Sequence, residues 1–138
     1  MHSRKHYEVE VYEEISEAIR QMIQMAVPDK RVVHGSMPPL SGIACSGFGA
    51  PVKTDWNVGT IHRFDFVINT KSESIQEGIQ ALDKVHTWLT IRKDFPTGEK
   101  WQIFNISSSA SPRLVGKEEN GKWLIGSSIN ASVYIKGI

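Results

Sequence analysis

Five histidines and a single cysteine are the side chains of this 138-residue sequence best suited to act as base, metal ligand or nucleophile. Cys45 sits in the run Ala44-Cys45-Ser46-Gly47. A thiol becomes a nucleophile only when a base lies within hydrogen-bond reach and its pKa is lowered. His34 and His62 are the candidates for that base. A cleft around Cys45, His34 and His62 would make the chain a small enzyme or ligand-binding α+β domain. The plainer expectation is that Cys45 is a small buried apolar residue with no chemical role. His86 falls on the apolar stripe of a helix and reads as a histidine packed in the core or against the sheet. His2 and His6 lie in a terminus expected to fray. No two histidines have the spacing of a zinc site, and no second cysteine exists to complete one. Asp55 and Asp65 lack a carboxylate partner at a recognisable spacing. The run Gly47-Phe48-Gly49-Ala50-Pro51 is too short to cradle a phosphate and is not followed by Lys-Ser/Thr and a helix. Ser107 to Ser111, ahead of Pro112, reads as a polar strand end and turn. No enzyme signature is present, so the expectation is a non-enzyme without cofactor or metal.

Large apolar side chains outside the periodic elements say more. Trp88 stands roughly 120–140° off the apolar stripe of its helix at about 100° per residue. It is therefore expected to be exposed, beside Lys84 and Thr87. Trp56, Met37, Leu40 and Phe48 fall in an irregular segment. Large apolar groups on loops mark partner surfaces, so Trp88, Lys84, Trp56, Met37, Leu40 and Phe48 form the candidate interface. Trp101 and Trp123 could instead serve as base-stacking platforms on a sheet, provided that their faces are exposed and ringed by Lys or Arg. Trp123 heads an apolar alternation and is expected to be covered.

Composition narrows the field. The chain is 40% hydrophobic and 22% charged, which is the balance of a single globular domain over residues 1–138. Sixteen basic residues against fifteen acidic ones leave a net charge of +1. They are spread evenly: four basic and six acidic in residues 1–30, three and two in 31–70, nine and seven in 71–138. Such a balance supplies no field for holding nucleic acid or an anionic membrane. One cysteine excludes a disulfide framework. The longest uncharged stretch, residues 32–52, holds four Gly and three Pro, and so cannot be a continuous membrane-spanning helix. The first residues lead into acidic sequence and not into an apolar signal core, so the chain is expected to be intracellular at synthesis.

The elements that must position these residues follow from periodicity. Tyr12, Ile15, Ile19, Met22, Ile23 and Ala26 share one side at helical spacing, predicting a helix over 9–27 that Pro28 stops. A short strand through Tyr7, Val9 and Val11 is the alternative there. Residues 31–59, rich in Gly, Pro and Ser, read as a long functional loop with strand pieces. Residues 60–70 alternate, with His62, Phe64, Phe66 and Ile68 on one face. Ser74 and Glu77 have capping-box spacing and open a second helix carrying Ile75, Ile79, Leu82, His86 and Leu89. Strands are predicted at 101–107, 113–117 and from Trp123 onward, with Asn120-Gly121 forming a hairpin turn. The sum is an α+β domain in the order α-β-β-α-β-β-β. Its sheet is mostly antiparallel, with four to five strands packed against two helices.

Four stretches carry a resemblance to a known family. They are the acidic first helix with Ala18-Ile19-Arg20, the run Pro38-Pro39-Leu40-Ser41-Gly42-Ile43, the strand-to-helix passage 64–89, and the ending 101–134 with Ser111-Pro112-Arg113-Leu114-Val115. The chain resembles the tail terminator proteins of phages with long, non-contractile tails, often described in prophages as minor capsid or minor structural proteins. The resemblance implies a small α+β subunit that assembles as a hexameric ring on the finished tail tube. There it would stop polymerisation and offer the surface on which the head docks. Its implied partners are further copies of itself, the tail tube protein and the head-completion connector, with DNA at most passing through the ring. Its implied place is the virion, at the head–tail junction, after assembly in the host cytoplasm. A ring subunit needs at least three adhesive patches, because neighbours in a ring meet through two different surfaces.

Overall fold

The computed structural model describes the backbone of residues 4–35, 42–55 and 59–136, with side chains from residue 10 onward except at 48–55. Helix α1 (Arg4–Ala26) puts Val11, Ile15, Ile19, Met22, Ile23 and Ala26 into the core; this is the stripe read from the sequence except that Val11 is buried and Tyr12 is only partly so. The strand alternative at 7–11 is overturned, since these residues belong to the helix. Beyond α1 the side chain of Gln24 donates to the carbonyls of Val27 (3.1 Å) and Lys30 (2.6 Å) and accepts from the Val32 N–H (3.3 Å). Backbone groups left over at the helix end are satisfied in this way, and the chain is led directly into the sheet.

Among the described residues five strands form one mixed sheet in the order β1-β2-β3-β5-β4. Strand β1 (Val32–His34) lies parallel to the start of β2 (Gly42–Asp55); β2 pairs antiparallel with β3 (Gly59–Ser72), β3 with β5 (Trp123–Lys136), and β5 with β4 (Trp101–Lys117). Helix α2 (Ile75–Thr90) connects β3 to β4; its cap is Ser74, whose hydroxyl accepts the Glu77 N–H. The β4–β5 hairpin turns at Gly121, whose φ of 85° suits the Asn-Gly pair. Phe64, Phe66 and Ile68 of β3, Ile125, Ile129, Ala131 and Val133 of β5, and Ile103 and Ile106 of β4 face the helices and are buried. The fold is α+β.

Two expectations change. Residues 31–59 are not chiefly loop: β2 alone runs fourteen residues, Gly42–Asp55. Its Gly and Pro content is explained by its neighbours. Gly47 lies under the Phe66 ring, so that a Cβ there would stand 2.4 Å from Phe66 Cδ1 and 2.7 Å from the Asp65 carbonyl oxygen. Pro51 sits at a register shift on a stretch that β1 does not reach, where its missing N–H costs no ladder bond on the open side. The second change concerns Ser107 to Ser111, read as a strand end and turn. Strand β4 runs unbroken through it, slipping register between Ser108 and Ala110 and between Ala110 and Arg113. As an edge strand it tolerates Pro112 inside that slip. Among the described residues there are accordingly three strands before α2 and two after it, and not two and three.

Candidate interaction surfaces

Helix α2 presents its buried side, Gly78, Leu82, Val85, His86 and Leu89, to the sheet. His86 is held there by a 2.6 Å contact between its Nδ1 and the Ser108 hydroxyl, and burial lowers its pKa, so the ring is neutral in its packed position. Trp88 is not the fully exposed residue that its angle on the helix predicts. The end of α1 packs beside α2, and Trp88 is half-buried against the edge of the core. The Arg92 guanidinium lies 4.9 Å from the centre of its ring, and its indole Nε1 is buried with no hydrogen-bond partner. Lys84, the other interface candidate on α2, shares with Trp88 a groove of about 520 Å³ walled by Met25, Pro28, Thr87 and Ile91. Met25 and Ile91 are 60% and 70% exposed. Sequence reasoning missed both, since each lies at the end of its helix, where a periodic stripe no longer separates covered from open positions.

Of the remaining interface candidates, Met37, Leu40 and Trp56 lie outside the described residues. Phe48 lies on β2 opposite Asp65, and its side chain is likewise outside the described part. Exposed apolar side chains that the sequence reading did not single out are Val67 on β3 and Phe104, Leu114 and Val115 on β4. The irregular ladder of β4 hides its three from a simple alternation, whereas Val67 falls on the outward face of the regular β3 alternation.

The set Cys45, His34 and His62 divides. Strand pairing brings His34 opposite Cys45, with Sγ 3.9 Å from Nδ1, while His34 Nε2 meets Glu17 Oε2 at 2.9 Å. Glu17 also takes the Arg20 guanidinium at 2.6 Å, and Arg20 reaches the Val32 carbonyl. Hydrogen bonds from Arg20 and then His34 hold the Glu17 carboxyl down at about 2. His62 lies about 20 Å along the ladder from the position opposite Cys45, where its Nδ1 contacts the Tyr12 hydroxyl at 2.7 Å. An open hollow of about 580 Å³ flanks Cys45, His34 and Glu17. Its thiol, however, is pushed up to about 11 by burial. A nucleophilic cysteine needs the opposite shift, so the arrangement reads as a clasp fastening β1 to α1.

Cys45 is 1% exposed. We therefore expect Cys45→Ala to fold and assemble as the parent does, and a thiol reagent to label Cys45 only as fast as the protein unfolds. Because the folded pKa lies above the unfolded one, Cys45 contributes stability fully below about pH 9. That contribution is lost as pH rises toward about 11. Alkaline denaturation of parent and Cys45→Ala, compared over that window, checks the sign: the variant should lose less stability. Rapid native labelling at neutral pH would contradict the inert reading.

The nucleic-acid alternative requires two open indole faces. Trp101 is buried, and Trp123 is half-buried with Lys117 Nζ 4.9 Å from its ring centre. Among the described residues no group of three or more His, Cys, Asp or Glu side chains is placed to hold a metal ion, and no helix is long and apolar enough to cross a membrane.

No protein family and no curated protein matches the sequence. The fold does match a solved structure. A chain of the virion of native gene transfer agent (GTA) particle superposes with a TM-score of 0.64 at 16% identity, over 88% of this chain and 93% of that one. At that identity the likeness establishes the shared fold.

Proposed function

We propose that this chain is a non-enzymatic virion structural protein that closes as a ring on the end of a phage tail tube. It ends tube polymerisation and forms the surface to which the head docks. The observation that carries the reading is the near-complete mutual coverage, 88% and 93%, with a chain of a virion particle. Coverage that extensive on both sides supports a subunit of the same build. The resemblance of the sequence to tail terminator proteins narrows the virion reading to that position. Its partners on this reading are further copies of itself in a hexameric ring, the tail tube protein and the head-completion connector. Its side contacts include the Trp88–Lys84 groove, and residues around Met37, Leu40, Phe48 and Trp56 supply a further adhesive patch. Near-neutral charge suits a ring through which DNA passes without being held. Electron microscopy of the purified protein mixed with tail tubes tests this. We expect ring density at one tube end and no further tube growth from it; tubes left bare and still growing would overturn the assignment.

A further inference from the structure

Resting on the ring reading above, we infer that the groove beside Trp88 receives the exposed end of β4, residues 113–115, from a second copy of this chain. Among the described residues the exposed large apolar side chains gather mainly in two places. Met25 and Ile91 flank the groove, and Leu114 and Val115 follow one another on an edge strand, Leu114 opposite Ile125 and Val115 against Gly126, at 45% and 56% exposure. One place is concave and the other is a projecting strand end. Each fits the other, and contacts between unlike patches close into a ring by rotation.

The β4 end is shaped to project. Leu114 and Gly116 bracket a register irregularity, and no atom lies within 4 Å of where a Gly116 Cβ would stand. The strand is last in the sheet; Thr97 bridges its start opposite Gln102, but among the described residues nothing pairs with its outer side at 113–115. Pro112 and the register slip around it blunt the middle of this edge, but the apolar pair beyond them is left open. Such an edge invites aggregation unless something covers it. Charge agrees with the pairing. Asp83 stands on the groove rim and Arg113 precedes Leu114; both are exposed, and among the described residues neither takes part in a salt bridge.

The test uses the full chain carrying Asp83→Arg, Arg113→Asp or both. Association is followed by sedimentation, ring closure by microscopy on tail tubes, and folding by thermal melting. Each single change should weaken association roughly tenfold by setting like charges together, with melting unchanged. The double variant should recover most of the loss, since the pair is reversed and not removed. In parallel, Ile91→Cys and Leu114→Cys variants are mixed under oxidising conditions; Cys45 is buried and does not compete. Crosslinks should form between the two variants and not within either. Ile91→Cys dimers, or singly charge-reversed chains that still close normal rings, would overturn this contact and leave the ring reading standing. A parent chain that neither self-associates nor caps tubes would overturn both.

Discussion

Gly47→Val is expected to cost about 2–4 kcal/mol of folding stability, a large share of the roughly 5–15 kcal/mol typical of a domain. The cost follows from what a Cβ would meet: the Phe66 ring at 2.4 Å and the Asp65 carbonyl oxygen at 2.7 Å. The carbonyl belongs to the β2–β3 ladder and cannot retreat without breaking pairing. Nor is the ring a loose neighbour. Phe66 is 1% exposed and stacks beside Phe64 at 6.1 Å, so moving it opens a hole in the core. A Gly116→Ala control separates this effect from a general dislike of side chains at strand glycines. Gly116 has open space where a Cβ would stand, and the control should change stability by no more than about 0.5 kcal/mol. Denaturant unfolding of the two variants checks the contrast; equal effects would mean that Phe66 yields easily.

The same glycine shows why the sequence was legible in some places and not in others. Helix α1, the capped start of α2 and the alternation of β3 each follow from residues close together in the chain, so their stripes could be read directly. Strand β2 could not. Its glycines and proline look like loop punctuation until Phe66, nineteen positions on, is seen lying across Gly47. Similarly, Ser107 to Ser111 reads as a turn unless β5 is known to run beside it and absorb the slips. Among the candidate sites, the pairing of Cys45 with His34 depended on a parallel contact between β1 and β2, whereas His62 was drawn away by Tyr12. The groove was half legible. Trp88 and Lys84 were visible as off-stripe residues on one helix, but Met25 and Ile91 enter only because two helix ends meet.

That meeting changes what Trp88→Ala should do. A fully exposed Trp88 would leave the monomer untouched when removed. Instead the indole is packed between the edge of the core and the Arg92 guanidinium, so the substitution should lower monomer stability by about 1–3 kcal/mol, less than the cost at a fully buried site. It should also strip the groove of its largest wall. Truncating a central interface Trp costs roughly 2–4 kcal/mol, and in a ring that loss recurs at every junction, so closure should fail before folding does. Two further variants separate the effects. Trp88→Phe keeps the apolar wall and deletes a buried N–H that has no partner, so both folding and rings should survive. Ile91→Ser acts at a side chain that is 70% exposed. It should leave melting within about 0.5 kcal/mol of the parent while weakening rings and letting tails grow past their normal stop. Rings that form normally in both Trp88→Ala, at a temperature where it is folded, and Ile91→Ser would remove the groove from the assembly contacts.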